Sequence, residues 1–262
     1  MMTMAVREDA GAPHVRSVGV DRPLQWLACG WQDLRVIGWP SALHGLIVAA
    51  GGLAIVAVTL LFLPLLPGAV SGFVLVGPIL ATGLYELSRV RQEGGRPSLG
   101  HVLAAWRRGT RPLVGLGLLL LVAATAWVLL TGVLFTAFVR DVVDSPVAFL
   151  RYALVSQGQG LFFLWLLLGG LGSALVFALT AVSVPLLLDR DVGLRTALLA
   201  SARAVGDNPV AMGLWATLIM LVTALCLASA LLGFVVAIPV IGHATWHAYR
   251  EVLDVESLPR RR

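Results

Sequence analysis

The chain is expected to be an all-α membrane protein: six transmembrane helices with amphipathic interfacial helices on the cytoplasmic side. Three observations carry that expectation. Of 262 residues, 58% are hydrophobic and 13% charged, whereas a soluble domain carries about 25% charged residues. Apolar runs of about 20 residues, the length that crosses a hydrocarbon core of roughly 30 Å, recur along the chain. All 19 basic residues are arginine, and they fall between those runs, almost all on one side.

Taken in order, residues 1–22 mix Gly, Pro and charge without periodicity and read as a disordered cytoplasmic tail. Asp21-Arg22-Pro23 is a helix start with Pro in the first turn. After it Leu24, Leu27, Trp31 and Leu34 recur at helical spacing while Gln32, Asp33 and Arg35 point elsewhere. That pattern describes an interfacial helix anchored by Trp26, Trp31 and Trp39. One transmembrane domain over 23–252 then holds spans near 42–64, 69–89, 112–138, 160–187, 209–230 and 233–250, and 253–262 form a cytoplasmic tail. The first apolar run begins near Leu43, too far in for a secretory signal peptide, so the chain is expected to stay in the membrane. Gly45 with Ala49, Gly77 with Ala81 and Gly169 with Ser173 are small-residue pairs that let helices approach closely. An outer loop, 139–159, has room for a short helix after Asp144-Ser145-Pro146. Cys29 and Cys226 lack CxxC spacing, and neither a disulfide nor a thiolate metal site is expected.

Orientation follows from counting. With both termini inside, 17 arginines are cytoplasmic and only Arg140 and Arg151 are outside, as the positive-inside rule requires. The sequence pI near 10.2 therefore points to anionic headgroups. Nucleic acid is not expected, because no basic stripe is interleaved with aromatics.

An internal repeat is expected as well. Residues 69–138 lie over 166–235 without a gap, matching Gly72 with Gly169, Ala105 with Ala202, Gly109 with Gly206 and Pro112 with Pro209. Each copy reads as a span, an amphipathic helix, a Gly and Pro break and a second span, and the two copies run parallel. In the first, Ser98 caps a helix with the face Leu99, Val102, Leu103 and Trp106. In the second, Asp191 caps a helix with the face Leu194, Leu198 and Val205.

Polar groups inside spans are costly and invite function. Here they are His44, Glu86, His243 and His247, all in the cytoplasmic halves, an asymmetry that argues against an ion pump or proton-coupled carrier. His243 and His247 are four apart and share a helix face. One reading makes them metal or haem ligands, with Glu86 or His44 completing the site. The other makes His247, Trp246, Tyr249 and Arg250 an interfacial belt. Ala244 stands where HExxH needs Glu, and no GxSxG elbow or Gly-rich phosphate loop is present, so an enzyme is not expected. Asp189-Arg190-Asp191 ends the fourth span and can pair with Arg89, Arg250 or His247 in a salt-bridge collar. Arg107, Arg108 and Arg111 with Trp106 are the candidate headgroup contacts.

Gly30-Trp31-Gln32-Asp33-Leu34, Gly77-Pro78, Gly83 to Arg89, Leu186 to Asp191, Asn208-Pro209 and Gly242 to Arg250 resemble the bacterial integral-membrane family designated domain of unknown function 2189, over roughly residues 24–252. The resemblance implies a multi-span protein of the inner membrane and no defined activity. The expected function is that of a non-enzymatic membrane protein meeting anionic lipid, other membrane proteins or a second copy of itself at its cytoplasmic face. A metal- or haem-binding protein and a neutral-solute transporter are the alternatives.

Overall fold

The computed structural model describes residues 13–107, 109–138 and 159–261. A short strand β1 (His14–Val15) leads into α1 (Arg22–Ile37) and α2 (Trp39–Thr59). Three short helices follow, α3 (Leu66–Leu75), α4 (Gly77–Leu80) and α5 (Thr82–Gln92), and then α6 (Leu99–Arg107) and α7 (Arg111–Phe138). The second half holds α8 (Gln159–Thr180), α9 (Ser183–Asp189), α10 (Leu194–Asp207), α11 (Pro209–Ala228), α12 (Phe234–Val252) and strand β2 (Leu253–Asp254). The loop expected over 139–159 lies almost wholly outside the described residues.

Among the described residues, four stretches are long and apolar enough to cross a membrane: Trp39–Thr59, Arg111–Ala137, Gly160–Asp189 and Pro209–Ala228. The other two stretches read as spans are built differently. Residues 69–89 fall on α3, α4 and α5, broken where Pro78 lacks an N–H for the helical ladder. Residues 233–250 fall on α12, which carries Pro239 in its interior. Most of α5 is buried, as is the face of α12 that packs against it. Their polar residues therefore meet protein and lower the apolarity of both helices.

The helix α12 sits at the centre, packed by α1, α2 and α5. Two glycines set those approaches. A Cβ on Gly30 would strike the Val240 carbonyl oxygen, and one on Gly45 would strike that of Val235. Both helices thus lie backbone to backbone on α12, as small residues allow. Of the other small pairs, Gly169 abuts the Trp127 ring and Ser173 is exposed, while Gly77 has open space around it.

Against α12, α1 buries Pro23, Trp26, Gly30, Asp33 and Ile37, and it leaves Leu24 and Trp31 exposed. This corrects two expectations. Asp33 does not face solvent, and Trp26 is not an interfacial anchor. The Trp26 indole N–H donates to Glu251 at 2.8 Å and its ring meets Trp215 edge-on. The helix has two usable faces, and periodicity alone does not say which of them meets protein. Trp31 and Trp39 are exposed as an anchoring role requires.

The expected caps also differ. The Ser98 hydroxyl bonds the His101 ring (2.8 Å). The residue before α10 is Gly193, without a side-chain cap, and Asp191 instead pairs with Arg261 at 3.6 Å. On α6, Val102 and Ala105 are buried while Leu103 and Trp106 are exposed. On α10 the buried face is Ala197, Ala200, Ser201 and Ala204.

Where the sequence reads as two tails, the structure has a clasp. His14–Val15 pairs antiparallel with Leu253–Asp254. Asn208, at the corner before α11, accepts from the Val18 N–H at 2.8 Å and donates to the Arg16 carbonyl at 3.0 Å. Residues up to Arg261 then run back along α9, with the Asp191 N–H on Pro259 O and the Arg261 N–H on Asp189 O. When 69–138 is laid over 166–235, the end of α5 at Gln92 falls on the end of α9 at Asp189, and α6 falls within α10.

Candidate functional site

Part of the buried polar set gathers round two carboxylates, Asp33 and Asp189, at the arginine-rich end of the bundle. The first is Asp33 on α1, 2% exposed. The Ser88 hydroxyl donates to its Oδ2 at 2.6 Å, His247 Nε2 lies 3.1 Å from the same oxygen, and Arg91 pairs with Oδ1. The Ser88 oxygen is 2.7 Å from His243 Nδ1, and the Ser41 hydroxyl is 2.9 Å from His243 Nε2.

Proton order follows from the chemistry of the groups. An ionised carboxylate only accepts, so the single Ser88 proton goes to Asp33. Its oxygen must then accept from His243 Nδ1–H, which leaves Nε2 to accept from Ser41. A neutral His243 satisfies every member of that chain, and all four side chains are buried. Burial raises the proton affinity of Asp33, but hydrogen bonds from His247 and Ser88 outweigh it and hold the carboxyl below its ordinary range. Four elements, α1, α2, α5 and α12, are tied at this point.

The second hub is Asp189 at the end of α9. Its Oδ2 accepts from the Tyr249 hydroxyl at 2.7 Å, from Arg190 Nε at 3.0 Å and from Arg250 at 3.4 Å. Arg190, 3% exposed, also donates to Leu258 O at 2.9 Å. Of the three collar partners considered for this segment, Arg250 is the one it engages directly. Arg89 pairs with Glu86 (2.7 Å) and Glu93 (3.1 Å), and His247 goes to Asp33.

His44 donates from Nε2 to Leu80 O at 2.7 Å, a carbonyl exposed by the helix break because the Leu84 N–H bonds Ala81 O. Its ring meets that of Trp106 edge-on. His243 and His247 are brought together with Asp33, and Glu86 pairs with Arg89. Each ring nitrogen of His243 faces a serine hydroxyl, and among the described residues no group of three His, Cys, Asp or Glu is arranged to hold a metal. Arg107, Arg111 and Trp106 are exposed, and Arg108 lies outside the described residues.

The arginines divide into two sets. Arg16, Arg22, Arg89, Arg91, Arg190, Arg250, Arg260 and Arg261 each pair with a carboxylate. Arg35, Arg96, Arg107, Arg111, Arg195 and Arg203 are exposed and have no carboxylate partner among the described residues. All six lie on or beside α1, α6 and α10.

Residues 65–189 match the family described as predicted integral membrane protein, domain of unknown function 2189 (DUF2189). The protein is a multi-pass integral membrane protein. The DUF2189 match takes in Gly77-Pro78, Gly83 to Arg89 and the run up to Asp189. It is narrower than the expected 24–252, and α1 and α12 lie outside it. Each hub therefore has one part inside the matched region, Ser88 or Asp189, and another outside it. No curated protein and no solved structure matches the chain.

Asp33 and Ser88 were missed as site residues by sequence reasoning. The available signal was the spacing Trp26, Gly30, Asp33, Ile37, a seam at intervals of four, three and four with glycine at the close approach.

Proposed function

We propose that this is a six-pass protein of a bacterial inner membrane, with both termini in the cytoplasm, that holds anionic phospholipid headgroups at its cytoplasmic face and catalyses no reaction. The sorting of the arginines carries this reading. Among the described residues, eight pair with carboxylates, and the six without such partners border α1, α6 and α10, beside exposed Trp31, Trp39 and Trp106. Guanidinium groups next to exposed indoles suit the headgroup layer. The interior offers little free chemistry, since Asp33, His243 and Asp189 are each engaged by neighbours.

Six crossings agree with the lengths available. Residues 66–92 form about 40 Å of helix and α12 about 28 Å, against a core of roughly 30 Å. With that topology 17 arginines lie inside. The superposed ends of α5 and α9 support a parallel repeat, with α6 and α10 as its two interfacial helices.

Lipid retention tests the reading. Protein purified from a mixed bilayer is expected to be enriched in phosphatidylglycerol over phosphatidylcholine, with each guanidinium near the surface worth about 1 kcal/mol. Replacing Arg107, Arg108 and Arg111 together by Gln should remove most of that enrichment. Equal retention of both lipids by the wild type would overturn the reading, and so would an unchanged triple variant.

A further inference from the structure

The six arginines without carboxylate partners among the described residues are not spread evenly. The Leu194 side chain lies against Gly115, where a Cβ would be 3.4 Å from it, so the start of α10 rests on the second turn of α7. Arg111 is one turn before Gly115, and Arg195 follows Leu194. The C-terminal segment closes the same corner, with Arg261 donating to the Thr110 hydroxyl at 2.9 Å and pairing with Asp191. Arg111 and Arg195 thus stand on two segments that meet at this corner, and neither pairs with a carboxylate among the described residues, while Arg261 takes Asp191. Like charges so placed repel unless an anion lies between them. Above the corner α7 exposes Val114, Leu118 and Leu121, an apolar wall leading away from the charge.

We propose that the corner between α7 and α10 is a discrete site for one anionic phospholipid, its phosphate held by Arg111 and Arg195 and an acyl chain lying along Val114, Leu118 and Leu121. This rests on the headgroup reading and adds to it a stoichiometric site and a residue, Arg195, outside the α6 group. A diffuse belt would treat all six arginines alike. A shared phosphate couples two of them.

The test is native mass spectrometry of the full-length protein with titrated phosphatidylglycerol, using Arg111→Gln, Arg195→Gln, the double variant and Arg203→Gln. All three positions are exposed, so the fold should tolerate each change. The tightest-bound lipid is expected to weaken about fivefold in each of the first two variants. The double variant should fall short of the product of the two, because both act on one phosphate. Arg203→Gln should leave that lipid unchanged. If Arg195→Gln retains lipid as the wild type does while the Arg107, Arg108 and Arg111 variant loses it, the corner site is wrong and the headgroup reading stands. If the wild type does not prefer phosphatidylglycerol, both fall. Millimolar inorganic phosphate displacing the lipid would also overturn the proposal, since the corner would then be a site for free phosphate.

Discussion

The two carboxylate hubs use the same residue type in opposite ways. Asp189 is met by two guanidinium groups and a phenol, and one of those cations, Arg190, is itself buried. Asp33 is met by a serine, a histidine and one quarter-exposed arginine, and through Ser88 it reaches a neutral imidazole. The first hub balances charge and the second orders hydrogen bonds. A buried ion left alone keeps its full desolvation cost, whereas a neutral group left alone loses only a hydrogen bond. The hubs should therefore fail by different amounts and in different ways, although each ties together several segments of chain.

The largest effect is expected at Asp189. Asp189→Asn leaves Arg190 with Leu258 O but no counter-charge, a loss of about 3–5 kcal/mol by the measure of broken buried pairs. Urea unfolding in detergent micelles measures it. A loss below that of Asp33→Asn would reverse the comparison. Asp33→Asn is expected to cost about 2 kcal/mol, because Arg91 can turn to water and the other partners are held by ordinary hydrogen bonds. The Asp33 hub also has a distinct pH signature. Its folded pKa is depressed, so its contribution is fully present above the unfolded value near 3.9 and is lost as pH falls through the lower folded value. Wild-type stability followed downward from about pH 5 should show that loss, and Asp33→Asn should flatten it.

The hubs were unequally legible in the sequence. Asp189-Arg190-Asp191 stands at the end of an apolar run, where alternating charge has no neutral explanation, and Arg250 is one of the three partners, with Arg89 and His247, that the sequence offers it. Asp33 lies between Gln32 and Arg35 on an amphipathic helix, where a charge normally means water. Only the packing of Gly30 onto α12 turns that face inward. The long apolar helices follow from hydropathy, but the broken path through α3, α4 and α5 does not, because Pro78 and the polar residues of α5 act together. The strand pair was invisible for a simpler reason. Two residues on each side carry no periodicity, and their register is set by Asn208 and by Glu251, which holds Arg22 and Trp26.

The smallest effect sharpens the comparison most, because it tests proton order and not charge. Ser41→Ala removes the donor to His243 Nε2 and leaves one buried acceptor unsatisfied, at about 1 kcal/mol. The Nδ1–H to Ser88 bond survives in that variant, since Ser88 still gives its proton to Asp33. Nitrogen-15 spectra of histidine-labelled protein should therefore show the same Nδ1-protonated ring in wild type and Ser41→Ala. Asp33→Asn should differ. An amide can donate as well as accept, so Ser88 is no longer compelled to point toward residue 33 and the ring is free to take either tautomer. A ring protonated at Nε2 in the wild type would mean that Ser88 donates to His243, and that the chain is not ordered from Asp33.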